Sequence, residues 1–151
     1  MAKQDSRRDW SDQYWWSSDG VRLHARVYAG PEDTENAPPV LCMPGLARNA
    51  RDFEKLAPHV ARQRKTIVIE FRGRGESAYA KDPMTYVPLT YVQDVVAMLG
   101  ELGIERFAAI GTSLGGLVAM LMAAMSRLWW QRKIAASSRR TKPGSARHWP
   151  N

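Results

Sequence analysis

The stretch Phe107 to Met125 constrains the fold of this chain more than any other. Phe107-Ala108-Ala109-Ile110 reads as a short buried strand, Gly111-Thr112-Ser113-Leu114-Gly115-Gly116 as a tight turn, and Leu114 to Met125 as an apolar helix. A G-x-S-x-G turn between strand and helix holds its serine at strained backbone angles, and small flanking residues let the two elements pass closely. Gly111 and Gly115 supply that space, while Gly115, Gly116, Ala119 and Ala123 give the helix a small-residue face able to pack on a sheet. The bland alternative is a glycine-rich strand-to-helix turn whose serine is idle.

The upstream chain supplies further elements. Residues 1–13 are polar and are expected to be poorly ordered. Tyr14-Trp15-Trp16-Ser17 and Val21 to Ala29 flank Ser18-Asp19-Gly20, a hairpin signal. Alternation puts Val21, Leu23, Ala25 and Val27 on one face and Arg22, His24, Arg26 and Tyr28 on the other, which makes His24 a solvated strand histidine rather than a base. Pro39 to Met43 reads as a buried strand ending at Pro44-Gly45, with Cys42 as a buried structural thiol. A helix follows, capped by Asn49 and kinked or split at Pro58, with His59 on its surface. Thr66 to Phe71 is β-branched enough to be a strand. Leu89 to Leu102 has helical spacing, with Thr90 and Gln93 as a capping box and Gly103 after its end. This alternation predicts an α/β fold with a parallel sheet covered on both faces.

A chain of 151 residues suits one domain, and 44% hydrophobic with 25% charged residues is a globular composition. No run reaches 18 apolar residues and the amino terminus lacks an apolar leader, so no membrane span is expected and the cytoplasm is the default location. One cysteine and three scattered histidines give no internal disulfide and no metal-ligand spacing, and nothing requires a cofactor. The net charge of +7 comes from the end of the chain: residues 126–151 hold seven basic and no acidic residues, leaving 15 of each sign before them. Nucleic acid is therefore not favoured as a partner of the domain.

Four segments together carry a resemblance. They are Ser18-Asp19-Gly20, Met43-Pro44-Gly45-Leu46, Glu70-Phe71-Arg72-Gly73-Arg74-Gly75-Glu76-Ser77, and the turn at 111–116. With them, residues 15–125 resemble the amino-terminal half of the α/β-hydrolase superfamily, in its serine esterase-like branch. The resemblance implies an incomplete, mostly parallel sheet with flanking helices and an amino-terminal hairpin. It also implies Ser113 as a nucleophile attacking an acyl carbon of a small-molecule substrate, with the backbone N–H groups of Leu114 and Leu46 stabilising the oxyanion. Many members carry His-Gly where this chain has Pro44-Gly45. A serine at the elbow disfavours the branches with an aspartate nucleophile. The run at 72–77 is neither G-x-G-x-x-G nor a Walker loop and reads as a tight family turn, with Arg72 and Arg74 structural or solvated rather than a phosphate site.

In the family an acid and then a histidine follow the serine in chain order. After Ser113 this sequence has no Asp or Glu, and His148 is its sole histidine there, in a basic stretch with no strand signal. The organisation expected is thus a polar segment 1–13, a partial hydrolase domain 14–125, and a basic tail 126–151 that is irregular or out of frame. On that reading the chain is a truncated, impaired hydrolase of ester-like bonds. The alternative is a non-catalytic remnant or interaction module whose tail, with Trp129, Trp130 and Trp149, binds phosphate backbones or anionic membrane. A sheet ending at the nucleophile strand would also leave an open edge for self-association.

Overall fold

The computed structural model describes residues 8–138. Strand β1 (Ser11–Trp16) turns at Gly20, φ +80, into β2 (Arg22–Tyr28). β3 (Val40–Met43) leads through a 3₁₀ turn (Ala50–Phe53) to α1 (Leu56–Ala61), and β4 (Thr66–Glu70) through a second 3₁₀ turn (Pro83–Thr85) to α2 (Pro88–Glu101). β5 (Ala108–Gly111) and α3 (Leu114–Ser138) complete the described chain. Ser11 to Gln13 belong to β1, so the strand begins inside the segment expected to be poorly ordered; residues 1–7 of that segment lie outside the described residues.

The sheet runs β1-β2-β4-β3-β5. β4, β3 and β5 are parallel, with Val40 opposite Thr66 and Met43 opposite Gly111, while the hairpin joins antiparallel through β2 and β4. The sheet is therefore mixed, with its parallel part carrying the crossovers. Because side chains alternate along a strand, β3 and β4 feed two cores. Leu41, Met43, Ile67 and Ile69 join Leu23, Val95, Met98, Val118 and Met122 beneath α2 and α3. Val40, Cys42 and Val68 join Tyr28, Phe53 and Ala57 beneath α1. Each fully buried aliphatic side chain here contributes roughly 1.5–3 kcal/mol relative to exposure. Burial pushes the Cys42 thiol up to about 11, in keeping with a structural role.

β5 is a marginal strand rather than the buried one expected: Ala108 and Ala109 are exposed because its only partner among the described residues is β3. α2 starts at Pro88, which has no N–H to cap, so the Thr90/Gln93 box does not form the helix start. Its other end is a Schellman motif, with Gly103 at φ +66, Gly103 N–H donating to Gly100 O and Ile104 N–H to Leu99 O. α3 continues through Ser138 into the segment expected to be irregular. The reason is local: from Leu117 to Ser138 there is no Gly or Pro, and Ala, Leu, Met, Arg and Lys are strong helix formers. The rest of the tail, with His148 and Trp149, lies outside the described residues. Among the described residues no helix is long and apolar enough to cross a membrane.

Candidate active site

The three parallel strands end at one edge of the sheet, and open α/β sheets bind ligands at that carboxyl edge. At the end of β5 the chain makes the elbow. Ser113 has φ +49, the sole non-glycine residue with positive φ among those described. Its side chain is exposed, its carbonyl accepts the Leu117 N–H at 3.1 Å, and Gly115 N–H donates to Thr112 O at 2.9 Å. Leu114 opens α3, so its N–H has no acceptor within the helix and stands at the positive end of the helix dipole. The flanking glycines are obligatory. A Cβ on Gly115 would overlap the Met43 carbonyl, and one on Gly111 would overlap the Gly115 backbone. Thr112 N–H donates to Met43 O at 3.1 Å, tying the elbow to the end of β3.

That strand end continues into the second loop of the site. A Cβ placed on Gly45 would stand 3.6 Å from Ser113 Cβ, which puts the Pro44-Gly45-Leu46 loop against the serine. Leu46 is 58% exposed. Arg48 N–H closes a turn onto Gly45 O at 3.1 Å, and the Arg48 side chain grips Asp52 with Nη2 to Oδ1 at 2.7 Å. Asn49 Oδ1 accepts Arg51 N–H at 3.0 Å, the cap expected of it, and Pro58 lies in the second, separate helical piece.

Two buried polar clusters support these loops, and sequence reasoning missed the first. His24 is buried, not solvated: Nδ1 lies 2.8 Å from Glu70 Oε2 and Nε2 lies 2.9 Å from Asp12 Oδ1. Burial pushes the imidazole down, but hydrogen bonds to Glu70 and then Asp12 outweigh it and hold His24 above its ordinary value. Burial likewise pushes Glu70 up, and His24 with the N–H groups of Glu76 and Ala50 bring it below the usual carboxylate range. Ser77 Oγ donates to Glu70 O at 2.6 Å and accepts His24 N–H at 2.9 Å. The signal lay in an acid closing an otherwise apolar buried strand, Thr66 to Glu70.

The second cluster centres on Arg72, which is 0% exposed. It donates to Asp19 at 2.8 and 2.9 Å and to Asp94 at 2.8 and 2.7 Å. These bonds hold Asp19, assisted by Ser17, well below the carboxylate range and keep the guanidinium charged. Arg72 is thus structural, and Arg74 is half-buried, bonded to Arg72 O and Tyr91 Oη at 3.0 and 3.1 Å. His59 is exposed on α1 as expected.

Residues 38–136 match the family of the alpha/beta hydrolase fold. The chain is 32% identical over 105 residues to a 3-hydroxybutyrate-oligomer hydrolase of Cupriavidus necator, covering 70% of this chain and 36% of that protein. It is 37% identical over 87 residues to a serine hydrolase-like protein of Danio rerio, covering 58% and 27%. A crystal structure of an alpha/beta hydrolase from Novosphingobium aromaticivorans superposes with a TM-score of 0.73 at 59% identity, over 78% of this chain and 40% of that one. The chain therefore spans less than half the length of these hydrolases, and it belongs with them to the alpha/beta hydrolase fold family.

Proposed function

We propose that this chain carries the nucleophile half of a serine hydrolase acting on an ester-like bond of a small acyl substrate. Ser113 is the nucleophile, and the N–H groups of Leu114 and Leu46 are the oxyanion donors. The observation that supports this reading is the positive φ of Ser113 at a β5–α3 junction packed against Gly45, since a strained, exposed serine at a helix start is what attack on an acyl carbon needs. Similarity to a 3-hydroxybutyrate-oligomer hydrolase favours an ester among the acyl bonds. Removing one oxyanion donor typically costs about 3 kcal/mol of barrier, so both loops matter.

Turnover by these 151 residues is impaired. No acid follows Ser113, and without a base to take its proton a serine of this kind loses roughly a millionfold in rate, because triad members act as a unit. A fluorophosphonate probe tests the nucleophile directly. Slow labelling of the folded chain at high probe concentration and alkaline pH, where hydroxide replaces the missing base, is the expected result, and it disappears in Ser113→Ala; a folded wild-type chain that takes no label under those conditions points to the non-catalytic alternative.

A further inference from the structure

The loop that follows β3 is fixed at both ends, and its second anchor is a buried carboxylate. At the first end Met43 pairs with Gly111 and accepts the Thr112 N–H. At the other, Ala50 N–H donates to Glu70 Oε1 at 3.0 Å, with Ala50 fully buried. Pro44 to Asn49 run between the two anchors, with Pro44 and Gly45 buried and Leu46 exposed. Glu70 is itself immobilised. Its Oε2 accepts Glu76 N–H at 2.7 Å and faces His24 Nδ1 at 2.8 Å, and His24 is braced in turn by Asp12. The chain at 71–77 folds over the carboxylate so closely that a Cβ on Gly75, φ +54, would overlap it. An apolar side chain at the end of β4 would satisfy the strand as well; what the carboxylate adds is two directional bonds to backbone N–H groups, one of them at the end of the Leu46 loop.

We propose that Glu70, locked by His24 and Asp12, is a positioning residue that sets the height of the Leu46 N–H over Ser113 through the Ala50 backbone. The proposal rests on the oxyanion role given to Leu46 above. Displacing a reacting group by about 1 Å can cost up to roughly a hundredfold in rate, so a loop loosened at one end loses stabilisation without losing its sequence.

The test is phosphonate inactivation of the whole chain, resolved into kinact and KI, together with amide hydrogen exchange. Glu70→Met keeps the length and removes the acceptor. Kinact at Ser113 is expected to fall about tenfold with KI unchanged, while exchange at residues 45–50 rises about tenfold more than in β3 and β4. Ala50→Pro deletes the same N–H at the first position of a helical turn, a backbone place proline tolerates, its ring displacing the Glu70 carboxylate from the loop, and is expected to lower kinact alike even where Glu70→Met does not fold. Val95→Ala, under α2, matches the loss of global stability and leaves kinact unchanged. Unchanged kinact in either folded anchor variant overturns the proposal, as does a rise in exchange spread evenly over the sheet. If the wild-type chain takes no label, the nucleophile reading fails and the exchange pattern alone decides whether Glu70 holds the loop.

Discussion

Ser113 occupies a left-handed conformation that costs a non-glycine residue on the order of 1–2 kcal/mol, and nothing in its exposed side chain repays it locally. Ser113→Gly is therefore expected to raise the thermal midpoint, by up to about 1 kcal/mol of stability, while abolishing phosphonate labelling. An unchanged or lowered midpoint would show that the turn is not strained. Gly115→Ala is expected to act oppositely, costing about 3 kcal/mol in urea unfolding, because its methyl meets the Met43 carbonyl, which is backbone and cannot swing aside. The His24–Glu70 pair gives a pH signature. His24 is raised above 6.5, so its contribution is complete below that pH and is lost as pH rises through the folded value. Glu70 is lowered beneath 4.5, so its contribution is complete above that pH and is lost as pH falls through the folded value. Both are present between 4.5 and 6.5. The stability gap between wild type and His24→Gln, read from urea midpoints, should be widest there and narrow toward pH 9.

At the scale of elements, Arg72 joins the β1–β2 turn through Asp19, the end of β4, and the middle of α2 through Asp94, with Trp15 Nε1 adding a bond to Asp94 O at 2.9 Å. Arg72→Met leaves Asp94 buried without its partner and is expected to cost about 3–5 kcal/mol, while pairing it with Asp94→Leu recovers most of that loss. Equal midpoints for the single and double variants would dismiss the charge argument. These clusters mark where sequence reading stopped. The elbow, the Asn49 cap and the Gly103 terminus were legible because each is decided within a few residues. His24 was not, since its neighbours at positions 12, 70 and 77 arrive through sheet register and a loop fold that alternation along β2 cannot reveal. β5 was misread for a related reason: apolar composition marks a strand but does not say how many neighbours it has. Residues 126–138 were misread as irregular because loss of acidic residues was weighed above helix propensity, which carries α3 to Ser138.

For the whole molecule, the strand order leaves β5 with a free side among the described residues, and α3, which packs on β5, exposes Leu117, Met120 (65% exposed) and Met125. An unprotected edge beside apolar surface invites pairing with another chain. Sedimentation is expected to show concentration-dependent association that Ala109→Lys reduces, and a monomer at all concentrations would count against edge pairing. The same strand order has a consequence for biosynthesis. Read from the amino terminus, β2 and β4 each find an earlier-made strand to pair with, β3 waits for β4, and β5 docks last of the described strands, against a β3 already flanked by β4. Domains generally assemble from the amino terminus as they leave the ribosome. The least comfortable of the described residues, Ser113, is thus translated after the frame that must hold it, and the growing polypeptide never has to carry that contortion unsupported.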